Sequence, residues 1–133
     1  SRRMPTLGKK VKLVNDIESG VMIRANGSLL SWSIENVVRN GIDAIDRDNG
    51  EINVSLRMGD DHVRIRIKDN GRGVPKKDWK NVFRPGFSTK QAGWGLGLSL
   101  AQRIIEEIHH GKLIIVKSSS VTGTIFELII PSQ

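Results

Sequence analysis

The order of hydrophobic patterns along this chain predicts an α+β fold, a two-layer sandwich with helices on one face of a mixed, mainly antiparallel sheet. Three observations carry that expectation. Helical periodicity falls in two separate blocks, near residues 28–46 and 95–109. Two runs of period two, 51–57 (EINVSLR) and 62–68 (HVRIRIK), are joined by Gly59-Asp60-Asp61, which is a hairpin pattern. Two further strand-like runs, near 112–117 and 124–130, flank Gly123. The 133 residues suffice for one domain with its own core but not for two. Residues 1–8, opening Ser1-Arg2-Arg3-Met4-Pro5, read as the remnant of an upstream element.

Each element has a local reason. Residues 9–14 (KKVKLV) alternate polar and apolar and predict a strand, and residues 21–24 predict a second short one. Asn26-Gly27-Ser28 supplies capping side chains for a long helix running to about Asp46. Leu30, Ile34, Val37, Val38, Ile42 and Ile45 form its apolar stripe. Asp48-Asn49-Gly50 turns the chain into the hairpin, and Asp69-Asn70-Gly71-Arg72-Gly73 is a glycine turn closed by Pro75. Residues 76–82 predict a short helix, 83–94 an irregular loop, and 95–109 a second helix before the closing strands.

Composition narrows the function. A hydrophobic fraction of 38% with 26% charged residues is ordinary for a globular protein. No run approaches the ~20 apolar residues that cross a bilayer, and the absence of cysteine rules out disulfides and thiolate metal sites. The net charge of +7 invites a nucleic-acid reading, but the cations are scattered and aromatics amount to 5%. That leaves little for base stacking, so no nucleic-acid partner is expected. The charge is read as solvated surface with some attraction for an anionic ligand or an acidic protein.

Three segments carry chemistry. Gly93-Trp94-Gly95-Leu96-Gly97 runs straight into a periodic helix, whose unpaired N–H groups and positive dipole end suit phosphate. Asn36, Asn40 and Asp43 share one face of the long helix, away from the apolar stripe. That face is either simply solvated or, through its paired Asn oxygens, a ligand for Mg²⁺. Asp69 either starts a turn or accepts a hydrogen bond from an exocyclic amine such as that of adenine. Between them, Phe83-Arg84-Pro85-Gly86-Phe87-Ser88-Thr89-Lys90 is expected to form a lid, with Phe83 and Phe87 anchoring it to the core.

Taken in order, Asn36-x-x-x-Asn40, Asp69-x-Gly71-x-Gly73, Phe83 to Lys90 and Gly93-x-Gly95-x-Gly97 resemble the N, G1, F and G2 boxes of the sensor histidine kinases. These belong to the Bergerat-fold superfamily with gyrase B, the ninety-kilodalton heat-shock chaperone and MutL. The resemblance extends from about residue 9 to 131. It implies that Asp69 reads adenine, that Gly71 and Gly73 allow close approach to the nucleotide, and that Thr124 acts through water at the base. It further implies that Asn40, helped by Asn36, holds Mg²⁺, and that Lys90, Gly93, Gly95, Leu96 and Gly97 surround the phosphates of ATP.

The resemblance also implies a catalytic domain of a two-component kinase. Its phosphoryl acceptor would be a histidine on a separate dimerisation domain, with a response regulator downstream. Such a domain is expected to be cytoplasmic, attached or not to a membrane-bound parent, and monomeric in isolation. The ATPase branches place a glutamate base four residues before the metal-binding Asn, where this chain has Asn36. Glu35 is next door but about 100° round the helix, so water attack should be slow. Gly41 replaces a usual Ala, and Asp43 stands where many members carry a Lys facing phosphate. There Asp43 either repels the nucleotide or pairs with a surface cation. His62 lies in a strand and His109 and His110 at a helix end, so none is on an acceptor helix, and His109 and His110 are expected to be capping or surface groups. The alternatives are a serine kinase of the anti-sigma type and a nucleotide-sensing module without catalysis.

Overall fold

Strands form where apolar and polar residues alternate, and the pairing register decides which set is buried. In the computed structural model, which describes residues 2–3, 11–17, 27–87 and 97–132, a six-stranded sheet has the order β1-β2-β3-β4-β6-β5. The strands are β1 (Arg2–Arg3), β2 (Val11–Ile17), β3 (Gly50–Met58), β4 (His62–Asp69), β5 (Lys112–Ser119) and β6 (Gly123–Pro131). Only β2 and β3 run parallel; the other four pairings are antiparallel. A parallel pair needs a crossover, and helix α1 (Gly27–Ala44) lies between those two strands in the chain.

The predicted first strand, 9–14, runs further than expected, to Ile17, because pairing with β3 carries it through the polar Asn15-Asp16; residues 9 and 10 lie outside the described residues. Arg2–Arg3, read as part of an upstream remnant, pairs with Lys12 and Leu13 as a short edge strand. The strand expected at 21–24 lies outside the described residues. The hairpin forms as its alternation requires: Val63, Ile65 and Ile67 are buried, while Arg64, Arg66 and Lys68 point the other way and are exposed. Gly59 N–H donates to the His62 carbonyl at 2.7 Å to close the turn.

The buried face of the sheet receives the stripe of α1. Val37, Val38, Ile42 and Ile45 pack there with Ile52, Ile65, Phe126 and Leu128. Among the described residues the second helix, α2, spans Gly97–Arg103 and, unlike the regular helix predicted, then widens into a π turn over Ile104–Ile108. Its end explains the widening. The buried His109 donates both its backbone N–H and its Nδ1–H to the Ile104 carbonyl, at 3.2 and 3.1 Å. His109 is therefore an internal cap and not a surface group, whereas His110 is exposed with φ 58°.

The short helix expected at 76–82 splits into two 3₁₀ turns, Lys76–Asp78 and Asn81–Phe83. Tertiary contacts hold both. The Trp79 indole donates to the Val74 carbonyl at 3.0 Å, and Phe83 meets Phe126 edge-on with centroids 6.1 Å apart. Phe87 does not anchor the loop as expected. The chain turns at Arg84–Phe87, with Gly86 at φ 78°, and Phe87 is exposed.

Candidate functional site

Asp69 occupies the fourth place in the inward row Val63, Ile65, Ile67, where the strand pattern would otherwise put an apolar residue. It is 2% exposed. Its Oδ1 accepts two backbone N–H groups, from Gly71 at 2.8 Å and from Thr124 at 3.3 Å. The first bond is an Asx turn; the second ties the start of β6 to the end of β4. No group among the described residues donates to Oδ2. No described side-chain oxygen is both fully buried and unpartnered, so Oδ2 keeps a narrow solvent access. Burial pushes the Asp69 carboxyl above its ordinary value, against the opposing pull of the Gly71 and Thr124 N–H groups and of the Arg72 charge.

Helix α1 lies directly over this carboxylate. A methyl group at Gly41 would come within 2.9 Å of Ile52 Cδ1 and 3.3 Å of Asp69 Oδ2. The departure at Gly41 thus has a packing consequence: the helix backbone sits closer to Asp69 than an alanine permits without movement of Ile52 and Asp69.

The glycines of the turn are required first by the protein itself. A Cβ on Gly71 would lie 2.5 Å from the Ala44 carbonyl oxygen at the end of α1. One on Gly73, where φ is 81°, would overlap the Ser119 carbonyl. Arg72 continues the clasp on α1 with its N–H on the Ala44 carbonyl at 3.0 Å and its guanidinium on the Asp43 carbonyl at 3.4 Å. These are the open carbonyls of a helix C-terminus, where a cation is favourable.

Thr124 is also 2% exposed and shares a 2.7 Å hydroxyl–hydroxyl hydrogen bond with Ser118. Ser118 Oγ in turn accepts the Val74 N–H at 2.7 Å. Ser118 was not visible as a site residue in the sequence. Its place follows from the β5–β6 register, which sets Ser118 opposite Thr124, and a hairpin register drawn across Gly123 is the only signal that could have found it.

The polar face of α1 is not turned to open water at Asn36. Its Nδ2 donates to the Trp32 carbonyl at 2.8 Å, and its Oδ1 points at the first residue of α2, where a Cβ on Gly97 would be 2.6 Å away. Asn40, one turn on, is half-buried, and no hydrogen bond among the described residues engages its carboxamide. The described residues contain no cluster of three His, Cys, Asp or Glu side chains able to hold a metal. An ion here would take its ligands from Asn40, water and a bound anion, which is a donor set that suits Mg²⁺. Lys90, Gly93, Gly95 and Leu96, and with them Ser88 and Thr89 of the expected lid, lie outside the described residues.

The Asn36–Gly97 contact makes a testable pair. Gly97→Ala is expected to destabilise the chain, because displacing Asn36 outweighs the gain of up to about 1 kcal/mol from helix propensity. In an Asn36→Ala background the same change should stabilise. A denaturant double-mutant cycle should give a coupling of about 0.5–3 kcal/mol; additive changes would show that the two residues do not constrain each other.

Comparison with known proteins agrees with the motif order. The family model described as "Histidine kinase-, DNA gyrase B-, and HSP90-like ATPase" matches residues 26–133. Sporulation kinase C of Bacillus subtilis is 35% identical over 112 residues, covering 84% of this chain and 26% of that protein. Sensor histidine kinase ZraS of Klebsiella oxytoca is 36% identical over 110 residues, covering 82% of this chain and 23% of that protein. The chain thus spans about a quarter of the length of these curated relatives. Among solved structures, the catalytic domain of histidine kinase ThkA aligns with a TM-score of 0.81 at 28% identity, covering 92% of this chain and 80% of that one. Sequence motifs, sheet order and relatives converge: this chain belongs to the histidine kinase-, gyrase B- and HSP90-like ATPase family, with the Bergerat fold of the sensor histidine kinase catalytic domains.

Proposed function

We propose that this domain binds Mg²⁺-ATP between α1, the Asp69 turn and the start of α2, and transfers the γ-phosphoryl group to a histidine on a separate dimerisation domain. The observation that carries the reading is the division of labour within Asp69. Oδ1 is satisfied by two backbone donors, and Oδ2 is left for one more. A buried acceptor held this way suits the exocyclic amine of adenine, and Thr124 suits a water beside the ring. Gly71 and Gly73 bring the turn close enough for contact. Asn40 holds Mg²⁺, with Asn36 supporting it from the preceding turn. Gly93, Gly95, Leu96 and Gly97 present backbone N–H groups to the phosphates, and Lys90 adds a cation. When bound, the metal neutralises charge building on the transferring phosphoryl group.

The residues also favour transfer to an already nucleophilic imidazole over hydrolysis. Asn36 stands where a general base would be, and its amide is committed to the Trp32 carbonyl. Glu35 is exposed on another face of the helix. Water therefore lacks a positioned base. The reading makes the domain cytoplasmic, where ATP is available, and hands the phosphoryl group on to a response regulator; no described helix is long and apolar enough to cross a membrane.

The test is reconstitution. The chain alone should bind ATP without labelling itself, and should phosphorylate a separately supplied histidine-bearing dimerisation domain. That transfer should be slow, because the covalent link that raises local concentration is missing. The product should be acid-labile and base-stable. Asn40→Ala should abolish transfer and weaken only the Mg²⁺-dependent part of ADP binding, leaving binding in EDTA intact. Acid-stable phosphoserine on a partner would favour the anti-sigma type of kinase, and rapid hydrolysis by the chain alone would overturn the argument from the missing glutamate.

A further inference from the structure

The face of the sheet opposite α1 and α2 carries an ordered array of charge that the nucleotide site does not use. The strand registers align it in three rows across β3, β4, β6 and β5. The first row is Arg57, Arg64, Ile129, Lys112; the second is Ser55, Arg66, Glu127, Ile114; the third is Asn53, Lys68, Ile125, Lys117. All six cations are exposed. The spacings of a sheet put neighbouring positions about 5–7 Å apart.

Two features distinguish this array from charge that merely keeps a sheet soluble. Arg57 and Arg64 stand directly opposite each other, a like-charge pairing that destabilises a sheet. At the centre, Glu127 is 1% exposed on what is otherwise the solvent face. Its Oε1 accepts from Arg64 Nη1 at 2.8 Å and its Oε2 from Arg66 Nε at 2.7 Å. Arg64 Nε also donates to His62 Nε2 at 3.1 Å. The two guanidiniums are about half exposed, yet their orientation is set from beneath. A solubilising residue gains nothing from such a clamp, whereas a receptor for a fixed anion does, because an oriented guanidinium loses less freedom on binding.

We propose that this sheet face is a docking surface for an acidic protein surface, with Arg64 and Arg66 receiving Asp or Glu carboxylates and the outer cations steering approach. The fork geometry of arginine matches carboxylate. The isoleucines of the array, Ile114, Ile125 and Ile129, lie within strands among the charges and offer a modest apolar contact to a flat partner. They are not at a projecting tip, as insertion into a bilayer would require. No aromatic residue belongs to the array, so bases have nothing to stack on. A second copy of the same face would bring like charges together.

The proposal is tested with a fluorescent polyglutamate peptide, followed by anisotropy at low and at physiological salt. The wild-type chain should bind it in a salt-dependent way. Changing Arg57, Lys68, Lys112 and Lys117 together to Gln spares the Glu127 clamp, and should weaken binding at least tenfold. Changing Arg39, Lys77, Lys80 and Arg103 to Gln removes the same charge from other exposed positions, and should weaken it less than threefold. A further variant, Glu127→Gln, keeps every cation while loosening the clamp, and should also weaken binding. Equal losses for the two quadruple variants, or no loss for Glu127→Gln, would overturn the proposal. So would tighter binding of this face to phosphatidylserine vesicles or to a DNA duplex than to the acidic peptide.

Discussion

Asp69→Asn is expected to abolish measurable ADP binding while leaving the unliganded protein at least as stable as the wild type. The substitution keeps an oxygen for the Gly71 and Thr124 N–H groups and replaces the remaining acceptor by a donor facing the adenine amine. Two donors then meet in a confined site, and the lost charge-assisted bond should cost about 2–4 kcal/mol of binding. Calorimetry with equal ADP affinity for both proteins would remove Asp69 from the nucleotide site.

The stability half of this prediction follows from the raised carboxyl pKa of Asp69, which burial causes. The folded protein holds this proton more tightly than the unfolded chain does. The group's contribution to stability is therefore fully present below the unfolded value and is lost as pH rises through the folded one. At neutral pH the buried carboxylate is a cost to folding, and Asn does not incur it. Thermal melts should show an equal or higher midpoint for Asp69→Asn at pH 7, with the wild type gaining on it as pH falls through that window. ADP affinity should decline on acidification at a pH above the ordinary Asp range, because only the ionised form offers both acceptors.

Gly123→Ala should cause the largest loss of stability of any single methyl addition to the site. Its φ of 89° is a conformation costing an L-residue about 1–2 kcal/mol. The added methyl would also overlap the carbonyl oxygen of Asp69 and crowd Asn70 Cα. Neither neighbour is a flexible side-chain end, so β6 must shift from β4 at the point where Thr124 donates to Asp69 Oδ1. A total of at least about 3 kcal/mol is expected, combining backbone strain with overpacking. Denaturant unfolding measures that loss, and ADP titration of the folded fraction should show weakened binding as well. A variant with wild-type stability would mean that the close passage of Gly123 over Asp69 is not needed.

The local parts of this protein were legible because their causes are local. The alternation in HVRIRIK predicts the strand at 62–68, and the helical stripe predicts which side of α1 meets the sheet; that β4 runs one residue further and turns Asp69 inward is what the structure adds. Asp69, Asn36, Asn40 and the glycine turns also stand at recognisable spacings. The family assignment rests on those spacings, and the sheet order and the known relatives agree with it.

Tertiary structure alone decided the rest, because it depends on what distant segments do to one another. Nothing near Gly71 or Gly73 in the chain reveals that their neighbours are Ala44 and Ser119. The widening of the second helix is set by a histidine turning back onto its last turn, and the length of β2 by its parallel partner. Ser118 joins Thr124, and Glu127 slips beneath Arg64 and Arg66, only once β4, β6 and β5 are in register. Sequence determined the elements and the chemistry available on each. Register and helix packing determined which of those groups share a site, since a shift of one residue in a strand exchanges its two faces.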